Sequence, residues 1–171
     1  MQLQQASRKN VRIKMALQGP AGSGKTYSSL LIAYGLTGNW SSIAVIDTEN
    51  HSSELYAHLG SFKVLHLQAP FTPERYIEAM QLCEREKIEV AIIDSISHEW
   101  EGAGGILEVH SNMTGNSYTN WSKLTPRHND FVQYILQSPM RCIDFDGQWS
   151  CLGDVKIIVL FKVIGTFIVQ G

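Results

Sequence analysis

Short apolar runs alternate with amphipathic stretches along the chain, the pattern that strand–helix–strand units require. Ile13 to Leu17 predicts a first strand, and the turn Gly19 to Gly24 follows it. A helix is expected from about Lys25 to Leu36, carrying Leu30, Leu31, Ile32 and Tyr34, with Gly38 as its stop. Ile43 to Ile46 predicts a second strand running into the acidic group Asp47-Thr48-Glu49. Ser52 or Ser53 suits the cap of a short helix ending at Gly60, and Lys63 to Leu67 alternates like a strand. Thr72-Pro73-Glu74 opens a helix with a capping hydroxyl, a ring at the first position and an acid in the first turn. Tyr76, Ile77, Met80 and Cys83 mark its inward face, and Val90 to Ile93 is a wholly apolar strand that delivers Asp94.

The second half is less regular. Glu101 to Ser122 is rich in Gly, Ser, Asn and Thr and reads as a long loop. Thr125-Pro126 is expected to open a further helix, with Phe131, Val132, Ile135 and Leu136 inward and Ser138-Pro139 at its end. Asp144 to Trp149 reads as a turn, and Val155 to Phe161 as a last strand. Together these elements predict one α/β domain over residues 1–171, with a mostly parallel sheet and helices on both faces.

A chain of 171 residues with 44% hydrophobic and 18% charged residues is able to bury a core. A net charge of -2 excludes a basic mantle over the whole surface, though not a local patch. Arg8, Lys9, Arg12 and Lys14 form such a cluster, expected to be a solvated edge. Cys83, Cys142 and Cys151 lack C-x-x-C spacing, so buried thiols in a reducing cytoplasm are expected. The polar stretch Met1 to Asn10 predicts no signal peptide. The most apolar run, Val155 to Val169, is interrupted by Lys156, Lys162 and Gly165, so no membrane span is expected. The six histidines show no metal spacing along the chain; His98, beside Glu99, stands out.

Gly19-Pro20-Ala21-Gly22-Ser23-Gly24-Lys25-Thr26 fits G-x-x-x-x-G-K-[ST] at every fixed position, between a predicted strand and a predicted helix. Glycines let backbone N–H groups turn toward phosphate oxygens, and the helix aims its N-terminal dipole at the same anion. Lys25 is expected on the β- and γ-phosphates, the Thr26 hydroxyl on Mg²⁺, and Tyr27 completes the nucleotide-binding run. Such a loop needs a carboxylate on a neighbouring strand, and Asp94 is expected to hold Mg²⁺ through its water shell. Ser95 follows where many ATPases carry Glu, so the water-activating base is assigned to Glu49, with Glu99 and Glu101 as competitors. Asp47 is expected in a structural or metal-shell contact.

GPAGSGKT, Ile46-Asp47-Thr48-Glu49-Asn50 and Ile92-Ile93-Asp94-Ser95 stand in the order of a RecA-like P-loop NTPase core, which the chain resembles. In RecA-type and archaeal RadA-type recombinases a Glu after the second strand is the catalytic acid, which supports Glu49. With Asp94-Ser95-Ile96-Ser97-His98-Glu99-Trp100 and Thr125-Pro126-Arg127-His128-Asn129, the stretch from Ala16 to about Ser138 resembles AAA-type ATP-binding proteins of phages and prophages, linked to phage DNA recombination. The resemblance implies a three-layer fold, Mg²⁺-dependent ATP hydrolysis, single-stranded DNA as a partner and a homo-oligomer completed by a neighbour's cation, for which Arg127 is a candidate. It departs over 139–171, where no strand ending in Thr or Arg/Lys sensor residues is seen.

The region from Gly102 to Ser122 occupies the place of a DNA-contacting loop, and Tyr118, Trp121, Lys123 and Arg127 suit base stacking and phosphate contact, although positive charges are few. Two other readings stay open. A P-loop kinase of a nucleotide or small metabolite would want an arginine-rich lid, whereas the chain has scattered arginines; a non-hydrolysing assembly protein fits the altered C-terminus. A GTPase is disfavoured because no N-K-x-D motif occurs.

Overall fold

The computed structural model describes residues 12–146 and 156–160. One six-stranded sheet has the order β3-β2-β4-β5-β1-β6. Its strands are β1 Lys14–Gln18, β2 Ile43–Asp47, β3 Lys63–His66, β4 Val90–Asp94, β5 Arg141–Asp146 and β6 Lys156–Leu160. The first five run parallel, and β6 lies at the edge, antiparallel to β1. Parallel neighbours need crossovers. These are supplied by α1 Lys25–Thr37, a 3₁₀ segment Ser52–Leu59, α2 Pro73–Arg85, the short α3 Ser97–Glu101 and α4 Ile106–Asn112, and the long α5 Ser117–Gln137.

Every residue of β2 and β4 is buried, as central strands covered on both faces must be. Alternation then sorts side chains between two cores. Ala44, Ile46, Ala91, Ile93 and Cys142 face α2 and α5, packing with Tyr76, Met80, Phe131 and Ile135. Ile43, Val45, Val90, Ile92, Ile143, Met15 and Leu17 face the other way, onto Leu30 and Ala33 of α1. The result is the expected three-layer α/β sandwich. Full burial of a side chain such as Phe131 or Ile92 contributes about 1.5–3 kcal/mol.

Three expectations are corrected. The stretch 102–122 is mostly helical: α4 and the first turns of α5 occupy it, anchored by buried Ile106 and Asn120. Consequently Thr125-Pro126 opens no helix. Pro126 sits inside α5, whose cap is Asn116, accepting from the Tyr118 N–H at 2.8 Å. Pro126 and Ser122 are exposed, so the Ser122 carbonyl that loses its helical partner faces water, while Leu124, Phe131 and Ile135 hold the helix down. The third correction is β5. Asp144 to Asp146, read as a turn, are strand residues between β4 and β1, where two ladders override the turn-like composition. Gly147 to Trp149, Val155 and Phe161 lie outside the described residues, as do Arg8, Lys9 and Cys151.

Lys14 is no part of a solvated edge. It is buried, with Nζ donating to the Ser138 carbonyl at 3.0 Å and to the Met140 carbonyl. Strand parity explains this: Met15 and Leu17 turn toward α1, so Lys14 points to the other face, under the α5–β5 turn. Arg12 is exposed. Cys83 and Cys142 are buried free thiols, each pushed by burial up to about 11. No helix among the described residues is long and apolar enough to cross a membrane. Replacing Lys14 with Met keeps the volume but strands two buried carbonyls, so Lys14→Met should lower the unfolding free energy in urea by about 1–3 kcal/mol. An unchanged midpoint and slope would show that those carbonyls find other donors.

Candidate functional site

Gly19 to Thr26 forms the turn from β1 into α1, at the edge where all five parallel strands end. Gly22 and Gly24 take φ of +77° and +82°, and a Cβ at either would meet nothing within 4 Å. Backbone conformation, not space, therefore demands glycine there. Gly24 occupies the cap position of α1 with no side chain on the first amides, so the helix start keeps its donors free for an anion. Lys25 Nζ lies over the loop, donating to the carbonyls of Gly19 at 2.9 Å and Pro20 at 3.0 Å. The Ser23 hydroxyl oxygen is buried without a hydrogen-bond partner. Tyr27 is half exposed, its ring 6.0 Å from that of Tyr56.

The Thr26 hydroxyl donates to Asp94 Oδ2 at 2.8 Å, joining the loop to the end of β4. Asp94 is buried, which pushes its carboxyl up from 3.8 to about 6. The Thr26 bond opposes the rise, the negative charges of Glu49 and Asp47 add to it, and Lys25 counters them. These groups thus share one edge of the sheet. Glu49 itself is exposed, one residue beyond Thr48. Asp47 takes the structural alternative: its carboxylate accepts from the Glu49 N–H at 2.8 Å, the Ser53 N–H at 2.9 Å and the Ser53 hydroxyl. It caps the 3₁₀ segment, a role expected of Ser52 or Ser53.

Thr48 is the residue the sequence did not single out. Its hydroxyl accepts from the Ser95 N–H at 2.8 Å and lies 2.7 Å from His98 Nδ1, while its own N–H donates to the Asp94 carbonyl at 2.7 Å. Tyr76 donates to the Ser95 carbonyl at 3.0 Å, and burial raises its phenol. The Asp94–Ser95 peptide, which is cis, is thereby held by hydrogen bonds from Thr48 and Tyr76. No local motif announces these partners, because they come from the residue after β2, from α2 and from α3.

Most of the other candidates are engaged by partners outside the loop. Glu99 is buried and pairs with His128 Nδ1 at 2.9 Å. Arg127 is bound in its own chain to Glu74, at 2.6 Å through Nε and 2.8 Å through Nη2, and that bond holds Glu74 down to about 2. Trp121 is stacked on His110, with centroids 4.1 Å apart, and on Trp100 at 5.7 Å. Tyr118 is 84% exposed. The histidines, without metal spacing in sequence, are partly gathered by the fold: His51 and His66 both reach Glu54.

An orphaned hydroxyl at Ser23, an uncapped helix start and a lysine resting on loop carbonyls fit a polyphosphate. The Thr26 hydroxyl beside a buried carboxylate fits a hard cation such as Mg²⁺. The family described as AAA domain matches residues 11–143. No curated protein matches the chain.

Because the folded carboxyl of Asp94 titrates above its unfolded value, the stability of its protonated form is complete below about pH 4 and lost as pH rises through 6. Asn does not titrate. In thermal melts without nucleotide or metal, wild type minus Asp94→Asn should therefore fall between pH 4 and 7 and flatten above. A difference constant across that range would mean the carboxyl titrates normally.

Proposed function

The chain belongs to the AAA domain family, and from that premise we propose that it binds Mg-ATP on the loop Gly19 to Tyr27 and hydrolyses it. The observation that carries the reading is the 2.8 Å contact between Thr26 and Asp94 at the foot of an open, uncapped loop. Amides turned outward by Gly22 and Gly24 bind the β-phosphate, and Lys25 exchanges two carbonyls for β- and γ-oxygens. The Thr26 hydroxyl and Asp94 would hold Mg²⁺, which would supply neutralisation of the phosphate charge. Glu49 takes the proton of a water that attacks the γ-phosphorus, while the bond to the β–γ bridging oxygen breaks and ADP leaves. Its exposure beside the Asp94 edge leaves it room to do so.

The coupled process in this proposal is phage-type DNA recombination or single-strand handling by a homo-oligomer. Support comes from the order of the motifs and from exposed Tyr118, with Lys123 on the same helix, at the α4–α5 corner. Trp121 contributes to packing there instead. A cation from a neighbouring subunit would complete the site; Arg127 serves only by leaving Glu74. Unpaired buried thiols at Cys83 and Cys142 suit a cytoplasmic setting. A kinase lid gains no support: Arg75, Arg127 and Arg141 are engaged by Gln68, Glu74 and Glu89.

Phosphate release from Mg-ATP tests the reading. Lys25→Ala should abolish turnover, and Glu49→Gln should lower kcat by about 100-fold or more while nucleotide binding persists. Single-stranded DNA should raise wild-type turnover, less so at high salt. Turnover indifferent to DNA sinks the DNA role alone, and nucleotide binding without turnover favours an assembly protein.

A further inference from the structure

The turn after β2 brings a second group of ligating atoms together. His51 follows Asn50, and both take left-handed backbone, φ +69° and +50°. Among non-glycine residues Asn and His accept that conformation most readily. The turn sets His51 Nδ1 3.1 Å from Glu54 Oε1. His66, the last residue of β3, places Nε2 3.0 Å from the same oxygen. The two imidazole rings lie 3.8 Å apart between centroids, and all three ligand atoms fall within 4.8 Å of one another.

We propose that His51, Glu54 and His66 form a site for a borderline transition-metal dication of the zinc type, with Nδ1, Oε1 and Nε2 as ligands. Tetrahedral zinc with bonds near 2.0–2.1 Å needs ligand–ligand separations of about 3.3–3.4 Å. The two contacts to Glu54 are already within a few tenths of an ångström of that edge. Two imidazoles with one carboxylate are a donor set that zinc prefers and magnesium does not. His51 and His66 also line a cavity of about 260 Å³ with Thr48, Asn50 and Gln68, which gives a fourth ligand, water or a donor from a bound molecule, room to enter. Metal here would tie the turn that follows Glu49 to the end of β3. The site stands independently of the nucleotide reading, since none of its ligands belongs to the phosphate loop.

The test uses the full chain freed of any histidine tag, in millimolar Mg²⁺ without nucleotide. Calorimetry with Zn²⁺ should give one equivalent bound. His51→Ala, His66→Ala and Glu54→Gln should each weaken it by more than the about 10- to 100-fold that losing an outer-shell partner costs. His58→Ala, on the same 3₁₀ segment, and Lys25→Ala should leave the affinity unchanged. With Co²⁺, wild type should show intense visible bands of a tetrahedral nitrogen–oxygen site, abolished by equimolar Zn²⁺. The spectrum decides even where a variant fails to fold. Only the faint spectrum of hydrated Co²⁺, or Zn²⁺ binding that survives His51→Ala with His66→Ala, overturns the proposal.

Discussion

One hydrogen bond links the start of α1, reached from β1, to the end of β4, although β1 and β4 are not neighbours in the sheet. Thr26 follows β1, Asp94 ends β4, and β5 runs between those strands, yet hydroxyl and carboxylate meet at 2.8 Å. The contact requires that all three strands end at one level, which the parallel registers of β1 and β4 on β5 ensure. It also requires a carboxylate in a place that water scarcely reaches, and burial accordingly raises Asp94. The site therefore holds negative charge at a cost until positive charge arrives. Lys25 lowers that cost, and a dication would lower it further.

Around Asp94 the chain supplies rigidity from distant segments. Thr48 reaches from just after β2 to the backbone on both sides of the Asp94–Ser95 peptide, and Tyr76 reaches the same segment from α2. Asp47, one residue earlier, turns its carboxylate away to organise the 3₁₀ segment. Adjacent side chains on one strand end thus serve opposite purposes. Asp47 is fully committed to protein donors, whereas Glu49, beyond the ladder, is left at the surface.

The phosphate loop and the apolar strands β2 and β4 were legible in the sequence because their signals are local: fixed glycine spacing in one case, unbroken aliphatic runs in the other. β5 was not, since Arg141, Asp144 and Asp146 give it a polar composition and its identity comes from the ladders on either side. The helices from 97 to 137 were hidden for a related reason. Small polar residues and Pro126 carry loop signals, and burial of Ile106, Asn120 and Leu124 outweighs them. Thr48, Lys14 and the His51–Glu54–His66 group needed the fold, since each acts on partners far away in sequence or on another element.

Lys14 carries a mechanical implication. Its Nζ grips the carbonyls of Ser138 and Met140, the hinge between α5 and β5, while its own backbone lies in β1, the strand that leads into the phosphate loop. Lys14 thereby adds a side-chain link between the end of α5 and the root of that loop, beside the backbone ladder that already joins β5 to β1. A body that pulls on α5 and a nucleotide that reshapes the loop would each feel the other through this tether.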